Sequence, residues 1–159
     1  MEADQFITII TDKEGVRYPL NCHIDDALHC FEVKCGGVII AEAKCWLVNN
    51  GELQLNDLQV VDSALVPWLK LPLLGYLGLV RRHSFRRRGL SNGMLKAIVH
   101  WSRQKGLKRI TGKVVAADLN VFPGLAEMYQ RFGFEVTKGS GNMSYFVEMR
   151  LLQGIWTRR

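Results

Sequence analysis

The chain has 159 residues, 48% of them apolar and 23% charged, with a formal net charge of +6. That apolar share excludes a disordered chain, and the length fits one domain, 1–159, with one sizeable core. The opening MEADQFITII is acidic first and only briefly apolar, unlike a secretory signal, so the four cysteines read as cytoplasmic thiols and a disulfide scaffold is not expected.

Residues 5–11, QFITIIT, are β-branched and aromatic, which predicts a first strand. Residues 28–35 predict another, and Gly36-Gly37 supplies the positive φ angles of a tight hairpin into a return strand over 38–48. Asn49-Asn50-Gly51 makes a second turn, and 52–61, ELQLNDLQVV, a third antiparallel strand. Its alternation slips: Leu53 and Leu55 share one face, Leu58 and Val60 the other parity. One extra residue near Asn56-Asp57 would produce that slip, so a β-bulge beside a binding site is expected; a strand buried on both faces is the alternative.

The apolar run 63–80 contains Pro67, Pro72, Lys70 and two glycines, breakers that a membrane span excludes. It reads as an irregular loop packed on the protein; Trp68, Tyr76 and Arg81-Arg82 leave contact with a membrane surface through 63–82 as the weaker alternative. Helix and strand then alternate. Leu90, Met94, Leu95, Ile98, Val99 and Ser102 fall on one helical face, opposite Asn92, Lys96, His100 and Arg103, and Gly106 closes the helix. Residues 107–117 predict a strand. Pro123 suits the first turn of a helix carrying Leu125, Met128, Tyr129 and Phe132 and ending at Gly133. FEVTK and MSYFVEMRLL flank Gly-Ser-Gly-Asn as a terminal hairpin.

Charge is unevenly divided along these elements. Residues 1–77 carry a net −6 and residues 78–159 a net +12, so the second half is expected to meet an anion. The basic centre is Arg86-Arg87-Arg88-Gly89-Leu90-Ser91, just before the amphipathic helix. Backbone N–H groups at a helix start are unpaired and carry the positive end of the dipole. Small residues at Gly89 and Ser91 let that backbone approach an anion, and the arginines add charge and bidentate donors. A pyrophosphate or similar anion follows; the Gly-Lys-Ser/Thr end of a P-loop is missing. Cys22, Cys30, Cys35 and Cys45, with His23 and His29, lack a Cys-x-x-Cys pair, so buried thiols and no metal are expected.

From about residue 52 to 151 the sequence resembles the Gcn5-related N-acetyltransferase (GNAT) superfamily. The matching stretches are Arg86-Arg87-Arg88-Gly89-Leu90-Ser91, against Arg/Gln-x-x-Gly-x-Gly/Ala, and Tyr129-Gln130-Arg131-Phe132-Gly133-Phe134, against Tyr-x-x-x-Gly-Phe. Asp57-Leu58-Gln59-Val60 is similar to the strand that precedes the family's phosphate loop. The resemblance implies an α/β acyl-CoA N-acyltransferase fold, with a mixed, mostly antiparallel sheet and helices on both faces. The sheet would open between the strands at about 52–61 and 107–117. Before Leu28 there are too few residues, and too little helical periodicity, for the two helices that normally wall the acceptor site, so reduced N-terminal helices are expected. Residues 63–84 are an insertion that replaces that wall or docks on a partner.

The same resemblance implies an enzyme that passes an acetyl group from acetyl-CoA, a co-substrate, to a primary amine by direct attack on the thioester. Backbone amides of Arg86, Arg87, Arg88, Gly89, Leu90 and Ser91 would hold the pyrophosphate, and Leu58 and Val60 the pantetheine arm. Tyr129 would protonate the departing thiolate and Asp57 take the amine's proton, with Asp118 and Asp62 as weaker bases. Arg81-Arg82-His83 would either extend the phosphate site to the ribose phosphate or merely keep the loop soluble; Asn120, His100 and the terminal tail carry little weight. The partners are an amine, small molecule or protein, with a second copy of the chain as a candidate. No nucleic acid is expected. The rival reading is a non-enzymatic module that uses the arginines on nucleic acid or a membrane surface, but no aromatics interleave them as a single-strand binder requires.

Overall fold

The computed structural model describes residues 5–48, 51–67, 80–137 and 140–146. They form a mixed, mostly antiparallel sheet with helices, and the chain divides into two compact units: Met1–Lys44 with Asp57–Ala97, and Cys45–Asn56 with Ile98–Arg159. The division falls inside β4 (Val38–Val48), β5 (Glu52–Val60) and α1 (Leu90–Gln104), so each of these contributes to both.

In the first unit β1 (Gln5–Thr11), β2 (Arg17–Asp25) and β3 (Leu28–Cys35) are joined antiparallel and continue to β4 and β5. Residues 12–27, to which the sequence assigns no element, hold β2. Tyr18, Leu20 and Cys22 are buried at every second position, the period of a half-buried strand. Pro19 and the polar residues between them mask that alternation; Pro19 sits on the exposed face opposite Ile9. Leu20 and Phe31, both fully buried, each contribute about 1.5–3 kcal/mol by leaving water. Gly36 and Gly37 both take positive φ, 57° and 82°, as a two-residue β3–β4 turn demands.

The insertion is not the expected irregular loop where it is described. β6 (Ser63–Pro67) pairs antiparallel with β7 (Val80–Ser84), so its ends form a ribbon; residues 68–79, with Trp68 and Tyr76, lie outside the described residues. No described helix is long and apolar enough to cross a membrane.

In the second unit β5 pairs parallel with β8 (Arg109–Lys113) from Glu52–Arg109 to Leu55–Gly112, and β10 (Asn142–Phe146) runs antiparallel to β8 and to β9 (Glu135–Val136). A methyl group on Gly112 would overlap Met143 Cε and stand 2.8 Å from the Leu55 carbonyl, so only glycine fits between these strands. The predicted strand over 107–117 is shorter than expected: α2 (Ala116–Val121) begins where Asp118 accepts the Val115 N–H at 3.4 Å. Pro123 stands before the cap residue Gly124 and outside the first turn of α3 (Leu125–Phe132), which Gly133 ends at φ 108°. Of the terminal hairpin, 147–152 lie outside the described residues. The predicted face of α1 is buried at all six positions, and the opposite four are exposed.

Candidate functional site

The site is built in the first unit where β7 hands over to α1. Phe85, 1% exposed, anchors the turn: its N–H donates to the Asp62 carbonyl (2.9 Å), and its ring meets Tyr18 edge-on at 6.4 Å. Asp62 also stands 3.4 Å from Arg86 Nε, and the first ribbon pair is Ser63 with Ser84. The insertion is therefore closed at its neck. Despite the residues between them, Asp62, just before β6, and the start of the arginine turn share a hydrogen bond.

Arg87 adopts φ 58° and Gly89 φ 82°. Left-handed backbone at a bulky residue is disfavoured by about 1–2 kcal/mol and persists only where the surroundings enforce it. Two such residues flanking Arg88 make a concave backbone of the kind that gathers N–H groups around an anion. The helix ladder starts with Gly93 N–H to Gly89 O at 3.1 Å, so the amides of Leu90, Ser91 and Asn92 precede it. No acidic residue occupies the first turn of α1. Gly93 fixes the helix against β1, since a Cβ there would overlap Ile10 Cγ2.

What enforces the turn was missed by sequence reasoning. Arg88, expected to offer its side chain to the anion, is 8% exposed and faces inward. Its Nε lies 2.8 Å from Asp12 Oδ2 yet off the hydrogen-bond axis, a charge contact, while Nη2 donates to Glu14 Oε2 at 2.5 Å and Nη1 to the Ser84 carbonyl at 3.4 Å. The guanidinium stacks over Phe85, 5.8 Å from the ring centre. Asp12, whose side chain has no exposure, accepts the Glu14 and Val16 N–H groups on Oδ1 (2.9 Å each) and the Tyr18 hydroxyl on Oδ2 at 3.2 Å. Lys13 N–H donates to the Arg88 carbonyl at 2.9 Å. Burial pushes the Tyr18 phenol up to about 12, with Arg88 opposing the rise and Asp12 adding to it. Asp12-Lys13-Glu14-Gly15 does carry a local turn signature, aspartate first and glycine fourth. Its docking onto Arg88 has none.

The remaining candidates divide between the units. Asp57, Leu58 and Val60 are half-buried on the first-unit part of β5, and Asp57 accepts from Gln59 Nε2 at 2.8 Å. The pairing of β5 with β8 ends at Leu55, before these three residues. Arg81, Arg82 and His83 are exposed on β7. Tyr129 belongs to the second unit, 5% exposed on α3, with its ring edge-on to Phe134 at 5.4 Å and its carbonyl accepting the Phe134 N–H. Asp118 is used at the start of α2, Asn120 is exposed on it, and His100 pairs with Gln104. No disulfide joins the cysteines, and the described residues hold no cluster of metal-ligating type.

The family model described as the acetyltransferase (GNAT) family matches residues 3–134. Among solved structures, the GNAT domain of S. lividans PAT is similar at 11% identity, over 87% of this chain and 96% of that one, with a TM-score of 0.61. YhhK from E. coli, solved in solution with coenzyme A bound, is similar at 14% identity, over 78% and 75%, with a TM-score of 0.51. PaiA N-acetyltransferase from Thermoplasma acidophilum, in complex with coenzyme A, is 14% identical over 74% of this chain, with a TM-score of 0.49; the chain spans 59% of its length. No curated protein matches the sequence.

Proposed function

This chain belongs to the GNAT acetyltransferase family, and from that membership we propose that it transfers an acetyl group from acetyl-CoA to a primary amine. The observation that carries the reading is the turn Arg86–Ser91: two left-handed residues, a helix start with no acidic side chain, and a buried clamp that keeps the backbone in this shape. These features fit a diphosphate. The loop amides hold it, and the half-buried edge of β5 at Leu58 and Val60 takes the pantetheine arm.

Acetyl-CoA brings an activated carbonyl and a sulfur leaving group. The neutral amine attacks the carbonyl carbon, so that the C–N bond forms and the C–S bond breaks. Asp57, directly or through water, receives the proton that the attacking nitrogen sheds. Tyr129 gives its proton to the departing sulfur; a thiol's ordinary pKa of about 8.5 means that a weak acid suffices. Alignment of the two substrates is the larger contribution. The net −6 of residues 1–77 favours a cationic acceptor.

Saturating coenzyme A should raise the melting temperature by mass action, and amines mixed with acetyl-CoA should release free thiol. No shift with coenzyme A, alongside salt-sensitive binding to DNA or anionic vesicles, overturns the reading. Tyr129→Phe should lower kcat about tenfold or more while leaving coenzyme A affinity within about twofold. Unchanged turnover removes its acid role.

A further inference from the structure

We propose that Lys13, on the turn between β1 and β2, is a further ligand of the coenzyme A diphosphate, and that this turn forms a second wall of the phosphate site. The inference rests on reading Arg86–Ser91 as the diphosphate loop. Lys13 is fixed at both levels of its structure. Its N–H donates to the Arg88 carbonyl at 2.9 Å, and its neighbours Asp12 and Glu14 hold the Arg88 guanidinium. Its side chain then runs along Gly89: Cγ and Cε stand 3.4 Å, and Cδ 3.8 Å, from where a Cβ of residue 89 would be. The ammonium is one bond beyond Cε, beside the backbone that opens α1. Gly89 thus serves two ends, since a side chain there would strain φ 82° and crowd the lysine stem.

Charge assigns the lysine its task. Around the turn, Asp62 stands against Arg86, and Asp12 and Glu14 against Arg88, whereas Arg87 is exposed. The charges of Arg86 and Arg88 are therefore partly offset by the protein itself. Lys13 adds a cation whose stem lies along Gly89, and no ion pair engages it among the described residues. A compact ammonium on a flexible stem suits a phosphate as a point charge, complementing the fixed amides of the loop.

Binding calorimetry with coenzyme A and with dephospho-coenzyme A tests the assignment on the full chain. Lys13→Gln should weaken both ligands by the same factor, about tenfold at low salt, with the gap narrowing as ionic strength rises. Lys13→Arg should recover most of the loss. The exposed position predicts that the unliganded melting temperature stays within about 2 °C of wild type. Equal affinity of Lys13→Gln and wild type for coenzyme A overturns the proposal. A loss confined to coenzyme A also overturns it, because it puts the ammonium on the ribose phosphate. A wild-type protein that binds neither ligand overturns instead the reading of the loop on which the inference stands.

Discussion

Each unit carries a carboxylate–guanidinium pair that ties distant stretches of sequence, and the two differ in depth. Asp12 and Arg88 are almost out of water, with side-chain exposures of 0% and 9%. Glu52 and Arg109, which join β5 to β8, are 24% and 44% exposed. Burying two charges costs several kcal/mol that their attraction only partly returns, so depth alone is a poor route to stability. The deep pair is instead placed where backbone must be held in a shape it disfavours, between Arg87 and Gly89. The shallow pair spans a regular parallel register that the sheet already specifies. The charge pair driven into the interior of this fold thus holds the segment that is proposed to bind the diphosphate.

The helix starts repeat that contrast. Both α2 and α3 have a carboxylate of their own in the first turn, Asp118 and Glu127, whereas α1 has none. The chain complements the dipole of its two short helices and places no acid of its own at the start of the long one, as the proposed diphosphate site requires.

Breaking the deep pair gives the largest expected effect. Asp12→Ala leaves Arg88 buried against Glu14 and the Ser84 carbonyl alone, and should cost about 3 kcal/mol in urea unfolding. Coenzyme A affinity should fall by about tenfold or more, since the turn loses its clamp. Wild-type stability with wild-type affinity would show that the β1–β2 turn does not hold the loop. The helix contrast sharpens with Asn92→Asp, which gives the exposed first turn of α1 the acid it lacks. Opposite signs are expected: a gain of about 0.5 kcal/mol in the unliganded protein, and a loss of about tenfold in coenzyme A affinity as two negative charges compete for one dipole. A variant that gains stability and keeps its affinity would remove the anion from the start of α1.

The chain displays these features unequally to a reader of sequence. The amphipathic face of α1, the Gly36-Gly37 turn and Gly89 of the arginine turn are local: each follows from spacing or from one residue's allowed backbone. Arg88 carries the opposite lesson. Three consecutive arginines look alike in sequence, yet the middle and last of them part ways, Arg87 exposed in the left-handed region and Arg88 sealed inside. The cause lies at Asp12, far upstream, a contact that no periodicity encodes. β2 was hidden by Pro19, which a strand tolerates on its exposed side, and α2 by Val114-Val115, which prolong the β-branched pattern past the end of β8 at Lys113. The neck of the insertion was hidden because its strands are short and unlike, an apolar Ser63–Pro67 against a mostly polar Val80–Ser84, and neither shows a clear alternation.

The smallest effect belongs to the shallow pair, and its sign is set by protonation. Glu52 accepts the Thr111 hydroxyl at 2.6 Å and two donors from Arg109. The Thr111 hydrogen bond first, and those from Arg109 second, hold its carboxyl below the ordinary value of 4.5, against a partial burial that raises it. A carboxylate whose folded value is depressed binds fewer protons in the native state than in the unfolded chain around and below that ordinary value. Its stabilisation is therefore present at neutral pH, and is lost as pH falls through the folded value. Glu52→Gln removes the titrating group while keeping an acceptor for Thr111. Urea midpoints measured from pH 6 down to about pH 3 should fall more steeply in wild type than in the variant, and the two curves should approach each other at the acid end. Because the pair is largely in water, the gap should also shrink in salt, unlike the Asp12→Ala loss. Parallel curves across that range would mean that Glu52 titrates in the folded protein as it does in the unfolded one, and that the parallel register of β5 with β8 stands without it.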